Sequence, residues 1–176
     1  MNAIAEQHRK ELIKILQMAY SGERAAALAY AGHWRSVRNT DERKAIAQIE
    51  SDEWEHRRLV ALMLEKLGAG PQSWRDLLMG SIGSLIFIAC FLSGWFLPMY
   101  FAGLLEHSNV HEYADAAEHA RALGLLEIER ELVRLSVVEK AHEDYFIERV
   151  SGHCLTPIMM RLFGWGPLKQ LKDSFN

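Results

Sequence analysis

Glu53-Trp54-Glu55-His56 and Glu139-Lys140-Ala141-His142 are the two stretches on which the fold of this 176-residue chain turns. Residues three apart on a helix project from the same face, so each Glu and its His can reach one common point. The spacing alone is weak: with 17 Glu and 8 His in the chain, chance supplies roughly one such pair. The flanking residues carry the weight. Ile46, Ile49, Glu53, His56, Val60, Met63 and Leu67 alternate by three and four, as do Leu125, Ile128, Leu132, Leu135, Glu139, His142 and Phe146. Each Glu-x-x-His therefore replaces two apolar residues in the middle of a core-facing stripe. A buried carboxylate is normally neutralised, paired or bound to metal, because leaving it unpaired is costly.

Each pair has a single-Glu partner upstream. Glu23 falls on the stripe Ile13, Leu16, Tyr20, Ala27, Tyr30, and Glu106 on the stripe Leu92, Trp95, Met99, Ala102. Glu-helix followed by Glu-x-x-His-helix, used twice, reads as an internal pseudo-repeat. It supplies four carboxylates and two imidazoles, the ligand set of the ferritin-like di-iron and di-manganese carboxylate proteins. Oxygen-rich ligation with two imidazoles suits iron, with manganese as the alternative, better than copper or structural zinc. The competing reading is a buried salt-bridge network, but the nearby bases Arg57, Arg58 and Lys140 fall off the stripes. At the third position His107 follows Glu106 directly, and Glu112 is a competing donor if the chain kinks there. Tyr20, Tyr30 and Tyr113 stand either near the metals or simply in the core. His8, His33, His119 and His153 show no partner pattern and read as surface or packing residues.

Working outward, helical periodicity dominates and no strand-like alternation competes with it. A first helix is expected from about Ala3 to Val37. Asn39-Thr40-Asp41-Glu42 reads as a capping box that opens a second helix, which Gly68, Gly70 and Pro71 end near Leu67. Ser73 is placed to cap a third helical stretch, interrupted near Pro98, with a further run from His111 to Leu123. The last long helix spans about Leu125 to Val150, and an amphipathic tail, residues 153–176, holds a short C-terminal helix. The expected fold is all-α: a single-domain four-helix bundle with a greasy, kinked third helix.

Composition narrows the function classes. The chain is 49% hydrophobic and 24% charged, with formal net charge −3; it is neither disordered nor an ordinary polytopic membrane protein. No Lys/Arg cluster marks it for nucleic acid. Cys90 and Cys154 are too few and too distant for a Cys-x-x-Cys knuckle or a disulfide framework. The N-terminal run mixes acids and bases and lacks a signal peptide's apolar core, which points to a bacterial-type cytoplasmic origin.

From Leu77 to Leu105 there is no charged residue, a length that exceeds the ~20 apolar residues needed to cross a bilayer. A full crossing would carry the last helix away from the first two. The preferred arrangement is monotopic, with the segment lying in one leaflet beside the metal site. The alternatives are an unusually apolar core helix or a homodimer through this helix. Ile158, Met159, Leu162, Phe163, Trp165 and Leu168 in the tail offer a second membrane contact.

The order Glu23, Glu53-x-x-His56, a greasy segment, Glu106 before His111-Glu112-Tyr113, and Glu139-x-x-His142 resembles the demethoxyubiquinone hydroxylases, di-iron monooxygenases of ubiquinone biosynthesis. The resemblance covers about Met18 to Val150 and rests on ligand order and spacing. It implies a ferritin-like fold bound peripherally at the cytoplasmic face of the inner membrane, hydroxylating the ring of a polyprenylated quinol. It implies that Glu23, Glu53, His56, Glu106, Glu139 and His142 are the ligands of two irons. Family members often carry adjacent acids at the third position, where this chain has Glu106-His107. The Glu106 to Glu139 interval is also short, and the uncharged segment greasier than usual. These departures bear on the substrate more than on the metals.

Two rival readings fit the same residues. One keeps the metals but makes the chain a ferroxidase or peroxide scavenger, like ferritins and rubrerythrins, although no rubredoxin-type Cys-x-x-Cys supports the latter. The other is a non-enzymatic helical membrane adaptor that binds no metal. No Gly-rich nucleotide loop is present, so reducing equivalents are left to the quinol, to a pyridine nucleotide bound without a motif, or to a partner.

Overall fold

The computed structural model describes residues 3–167, and among them every regular element is helical. The helices are α1 (Ala3–Ser36), α2 (Thr40–Lys66), α3 (Ser73–Leu92), α4 (Phe96–Ala122), α5 (Leu126–Val150) and α6 (Thr156–Phe163). The tail reading at Leu168 and beyond lies outside the described residues.

The first two helices follow the sequence closely. Asn39 caps α2, its side chain accepting from the Asp41 and Glu42 amides. The second half of the expected capping box does not form as read, since the Glu42 carboxylate accepts the Trp95 indole N–H instead. Leu67 and Gly68, the latter at φ 64°, close the helix, a left-handed position where glycine has no Cβ to clash.

The third stretch differs from expectation. Gln72, not Ser73, holds the cap position; its side chain accepts no helix N–H, and its amide donates to Gln17 instead. The break falls at Ser93-Gly94-Trp95, with Gly94 at φ 76°, and not at Pro98. Pro98 is the third residue of α4, where its missing N–H would have no intrahelical acceptor in any case. From Phe96 the helix runs unbroken through His111 to Ala122. Leu92 and Trp95 are accordingly off the buried stripe; Leu92 is 82% exposed, while Met99, Ala102 and Glu106 are buried.

Cross-helix pairs give the directions. Arg24 meets Asp76, the Ala29 carbonyl meets Cys90, and Gly32 meets Phe87, so α3 runs parallel to α1. Tyr30 meets Glu106 and Tyr113 meets Glu23, so α4 returns antiparallel to α1. His107 pairs with Glu143, and Lys66 with Glu127, which sets α5 antiparallel to both α4 and α2. Two hairpins, α1/α2 and α4/α5, thus form a bundle of up-down-down-up sense. Helix α3 is the long crossover between them and lies outside the bundle against α1.

Two apolar clusters fill the bundle. One holds Leu12, Leu16, Val60, Leu64, Leu132 and Leu135; the other holds Tyr30, Ile46, Met99, Tyr100, Phe146 and Val150. Each fully buried Leu contributes about 1.5–3 kcal/mol relative to exposure. On α1 the buried row is Leu12, Leu16, Ala19, Glu23, Ala27 and Tyr30, a slight rotation from the expected face that leaves Ile13 and Tyr20 only partly buried. Helix α3 buries only Gly80, Gly83 and Cys90. Its outer face exposes Leu77, Leu78, Leu85, Ile88 and Phe91, so it is not a core helix. By length and composition it could cross a membrane.

Candidate metal centre

Between the two apolar clusters the four main helices place a polar layer. Glu23 comes from α1, Glu53 and His56 from α2, Glu106 from α4, and Glu139 and His142 from α5. All six are buried, Glu53, Glu106 and Glu139 completely. Two overlapping groups form: Glu23, Glu53, His56 and Glu139, and Glu53, Glu106, Glu139 and His142. Within each, one donor atom per residue lies within 4.8 Å of all the others. Glu53 and Glu139 belong to both. Glu112, the competing donor, belongs to neither group.

The layer is short of hydrogen-bond partners. His56 Nδ1 lies 2.9 Å from Glu139 Oε1, and His142 Nδ1 lies 3.5 Å from Glu53 Oε1 and 3.4 Å from Glu139 Oε2. Yet both Nδ1 atoms, both oxygens of Glu53 and Glu139, and Glu23 Oε2 have no hydrogen bond. The contacts are close but misaligned. Donor atoms that converge on a shared point rather than on one another have the arrangement a cation completes.

Electrostatics says the same. Among the described residues no Lys or Arg pairs with Glu23, Glu53, Glu106 or Glu139. Arg57 pairs with Asp76, Arg58 with Glu55, and Lys140 with Glu143 and Asp144. Among the described residues the salt-bridge reading therefore has no Lys or Arg to supply it, and the bases within reach are His56 and His142 of the layer itself. Burial, followed by repulsion from Glu139, pushes the Glu53 and Glu106 carboxyls well above the ordinary range. Burial also raises Glu23. Burial opposes ionisation of Glu139 too, but contacts from His142, His56 and Glu106 outweigh it and hold that carboxyl at about 2. A divalent ion would supply the positive charge this layer lacks.

A ring of polar residues braces the cluster. Tyr30 of α1 donates its hydroxyl to Glu106 on α4, and Tyr113 of α4 donates to Glu23 on α1. Each Tyr follows the Glu of its own helix by seven residues, two turns along the same face, so the two hairpins brace each other reciprocally. Burial holds both phenols well above their ordinary pKa, so both remain donors. Tyr20 is not part of this ring; its hydroxyl accepts from Arg57 at 2.8 Å. Asn109 donates to the second Glu106 oxygen at 3.2 Å. Asp52 lies 3.2 Å from His142 Nε2, the ring atom facing away from the cluster.

Sequence reading missed Asp52, Asn109 and Glu143, and of the two roles it left open for His33, surface or packing, the structure takes the buried one. Glu143 is buried on α5 and takes the Trp165 indole N–H at 2.9 Å, which ties the segment after α6 to the bundle. A residue directly after a Glu-x-x-His on the same stripe was the available signal. His8 and His119 meet each other, Nδ1 to Nδ1 at 2.8 Å, and His153 stacks on Phe96 at 4.1 Å.

Beside the cluster lies a cavity of about 500 Å³, walled by α1, α3 and α4. Tyr30 and Ala102 line it, and Tyr30 is the residue that bonds Glu106. No family model, curated protein or solved structure matches the chain.

Proposed function

We propose that this chain is a ferritin-like di-iron monooxygenase that hydroxylates the ring of a polyprenylated quinol, in the manner of the demethoxyubiquinone hydroxylases it resembles. An up-down-down-up bundle with one long crossover is the ferritin-like arrangement. The donor set suits iron, with manganese the alternative. Glu23 and His56 would hold one ion and Glu106 and His142 the other, with Glu53 and Glu139 shared. A bound iron pair supplies dioxygen-dependent oxidation chemistry. The observation that carries the reading is the apolar cavity that shares Tyr30 with the carboxylate cluster, because an iron store or an adaptor needs no lipophilic chamber against its polar layer.

The chain's own residues orient and insulate. Tyr30 and Tyr113 fix Glu106 and Glu23 through their hydroxyl protons. Asp52 fixes the His142 ring and leaves its Nδ1 for the ion. The two apolar clusters exclude water from the polar layer, which strengthens every electrostatic contact inside. The exposed apolar rows of α3, with Ile158, Leu162 and Phe163 of α6, would lie in one leaflet at the cytoplasmic membrane face. A substrate dissolved in that leaflet enters beside α3. A second copy covering the same face is the alternative.

The test is metal content after purification in mild detergent, with Glu53→Ala and His142→Ala as controls. We expect about two irons per chain, lost in both variants while helix content is retained, and oxygen-dependent hydroxylation of a supplied quinol. No iron or manganese after anaerobic ferrous reconstitution would leave the cluster structural and favour the adaptor. Peroxide consumption without quinol would favour the ferroxidase or peroxidase reading.

A further inference from the structure

The cavity wall carries one polar side chain that the proposed chemistry does not use. His33 is 3% exposed and lies on α1, one turn beyond Tyr30. Its ring is one corner of a cluster of three: its centroid lies 6.2 Å from that of Tyr30 and 6.0 Å from that of Phe146, which are themselves 5.9 Å apart. Its Nε2 is buried and has no hydrogen-bond partner.

The other polar side chains lining the cavity are committed. The Tyr30 hydroxyl donates to Glu106, the Cys90 thiol to the Ala29 carbonyl, and the Ser93 hydroxyl to the Ala89 carbonyl. The rest of the lining is aliphatic or aromatic. Among the described residues, His33 is thus the cavity wall's one uncommitted side-chain polar group. A buried polar atom without a partner is unfavourable and needs an explanation. An occupant that supplies the missing hydrogen bond is one.

The cavity also dictates the occupant's other end. Its lining residues Ile86, Phe101 and Leu105 are themselves partly exposed, on the apolar exterior of α3 and α4. The mouth therefore opens onto greasy surface, and a volume of about 500 Å³ is of the size that takes a substituted ring with the start of a chain. Burial holds the His33 imidazolium down at about 4, so at neutral pH the ring is uncharged and can meet a neutral hydroxyl or carbonyl without a counter-ion.

We propose that the uncharged imidazole of His33 is the polar anchor of this cavity, accepting a hydrogen bond from the ring hydroxyl of a lipid-soluble phenol or hydroquinone whose apolar chain leaves past α3. A ring tethered there is fixed in rotation, so His33 decides which ring edge faces Tyr30 and the carboxylate cluster. This rests on the monooxygenase reading for the identity of the ring compound, but not for the contact itself.

The test is a binding experiment that needs no turnover. Full-length protein in mild detergent, with its metal removed and again with ferrous iron restored, is titrated with decyl hydroquinone and with its dimethyl ether, whose ring oxygens can no longer donate. Wild type should bind the free hydroquinone at least tenfold more tightly than the ether. His33→Phe keeps the stack but removes the nitrogen, and should bind the two probes within twofold of each other. His33→Gln keeps a polar group there and should restore part of the difference. It also serves if the Phe variant does not fold, and circular dichroism identifies that case. Equal binding of both probes by wild type, no binding of either, or full discrimination in His33→Phe would each overturn the anchor. The two proposals fail separately. Discrimination through His33 in a chain that loads no iron would sink the monooxygenase and leave the anchor. Normal iron content and hydroxylation with unchanged preference in His33→Phe would do the reverse.

Discussion

Asp52 and His142 are 90 residues apart in sequence yet meet across the α2–α5 interface, carboxylate Oδ2 to imidazole Nε2 at 3.2 Å. The bond leaves Nδ1 of the same ring facing Glu53 and Glu139. A carboxylate behind a metal-binding histidine sets its tautomer and orientation, and losing such a partner typically weakens metal binding about 10–100-fold. Asp52→Ala should therefore retain a folded chain and bind iron more weakly by that factor, read by competition with a chelator of known affinity. Unchanged affinity would mean that His142 is positioned by packing alone.

The pH dependence of the metal-free protein follows from the direction of its shifts. Glu23, Glu53 and Glu106 are raised by burial, and His56 is raised by Glu139 against its own burial. A group whose folded pKa is raised holds its proton in the native state, so its contribution is full below the unfolded value and is lost as pH rises through the folded one. His33 and Glu139 are lowered, and their contributions no longer change above about 6.5. Between pH 6.5 and 9 the metal-free protein should therefore lose thermal stability as pH rises. Iron or manganese binding should release protons and flatten that slope. A metal-free melting temperature that climbs over this window would contradict the burial of the cluster.

Helices α1 and α3 touch backbone to backbone. A Cβ on Gly83 would lie 2.5 Å from the Ala25 carbonyl oxygen, whereas one on Gly22 would meet nothing within 4 Å. Gly83→Ala should cost about 1–3 kcal/mol because no flexible side chain can move aside. Gly22→Ala should stabilise by about 0.5–1 kcal/mol through helix propensity. Chemical denaturation of the pair distinguishes them, and a neutral Gly83→Ala would mean that α3 is not seated on α1 as described.

Gly103 faces Trp165, and a Cβ there would collide with the indole. Gly103→Ala should displace that ring, break its bond to Glu143 and shift tryptophan emission to the red, with a loss of about 1–3 kcal/mol. Emission identical to wild type would place Trp165 elsewhere.

The parts of this molecule that could be read from the sequence are those written along a single helix. The three-four alternation about Glu53-x-x-His56 and Glu139-x-x-His142 marks two faces, and the structure buries those same faces. Asp52 could not be found that way, since it sits off the apolar stripe and gains its role only from a helix 90 residues on. Tyr30 and Tyr113 could be placed on a face, but the exchange of partners between hairpins is tertiary. Pro98 misled because proline near a helix start removes an N–H that is free anyway, while Gly94 could turn the chain with no Cβ in the way. His33 carried no pattern because its environment is a cavity formed by three helices.

Helix α3 is a connection by topology and a wall by position. The polar layer is built wholly from α1, α2, α4 and α5, whereas one side of the chamber beside it is supplied by the crossover, held to α1 through Gly83, Gly32 and the Arg24–Asp76 pair. The polar layer and that wall are thus separate stretches of chain. Under the proposed reading, substitutions of Ile86 or Ala89, which line the chamber from α3, would re-tailor what is admitted without disturbing a single carboxylate, so the two halves of such a protein are free to evolve at different rates.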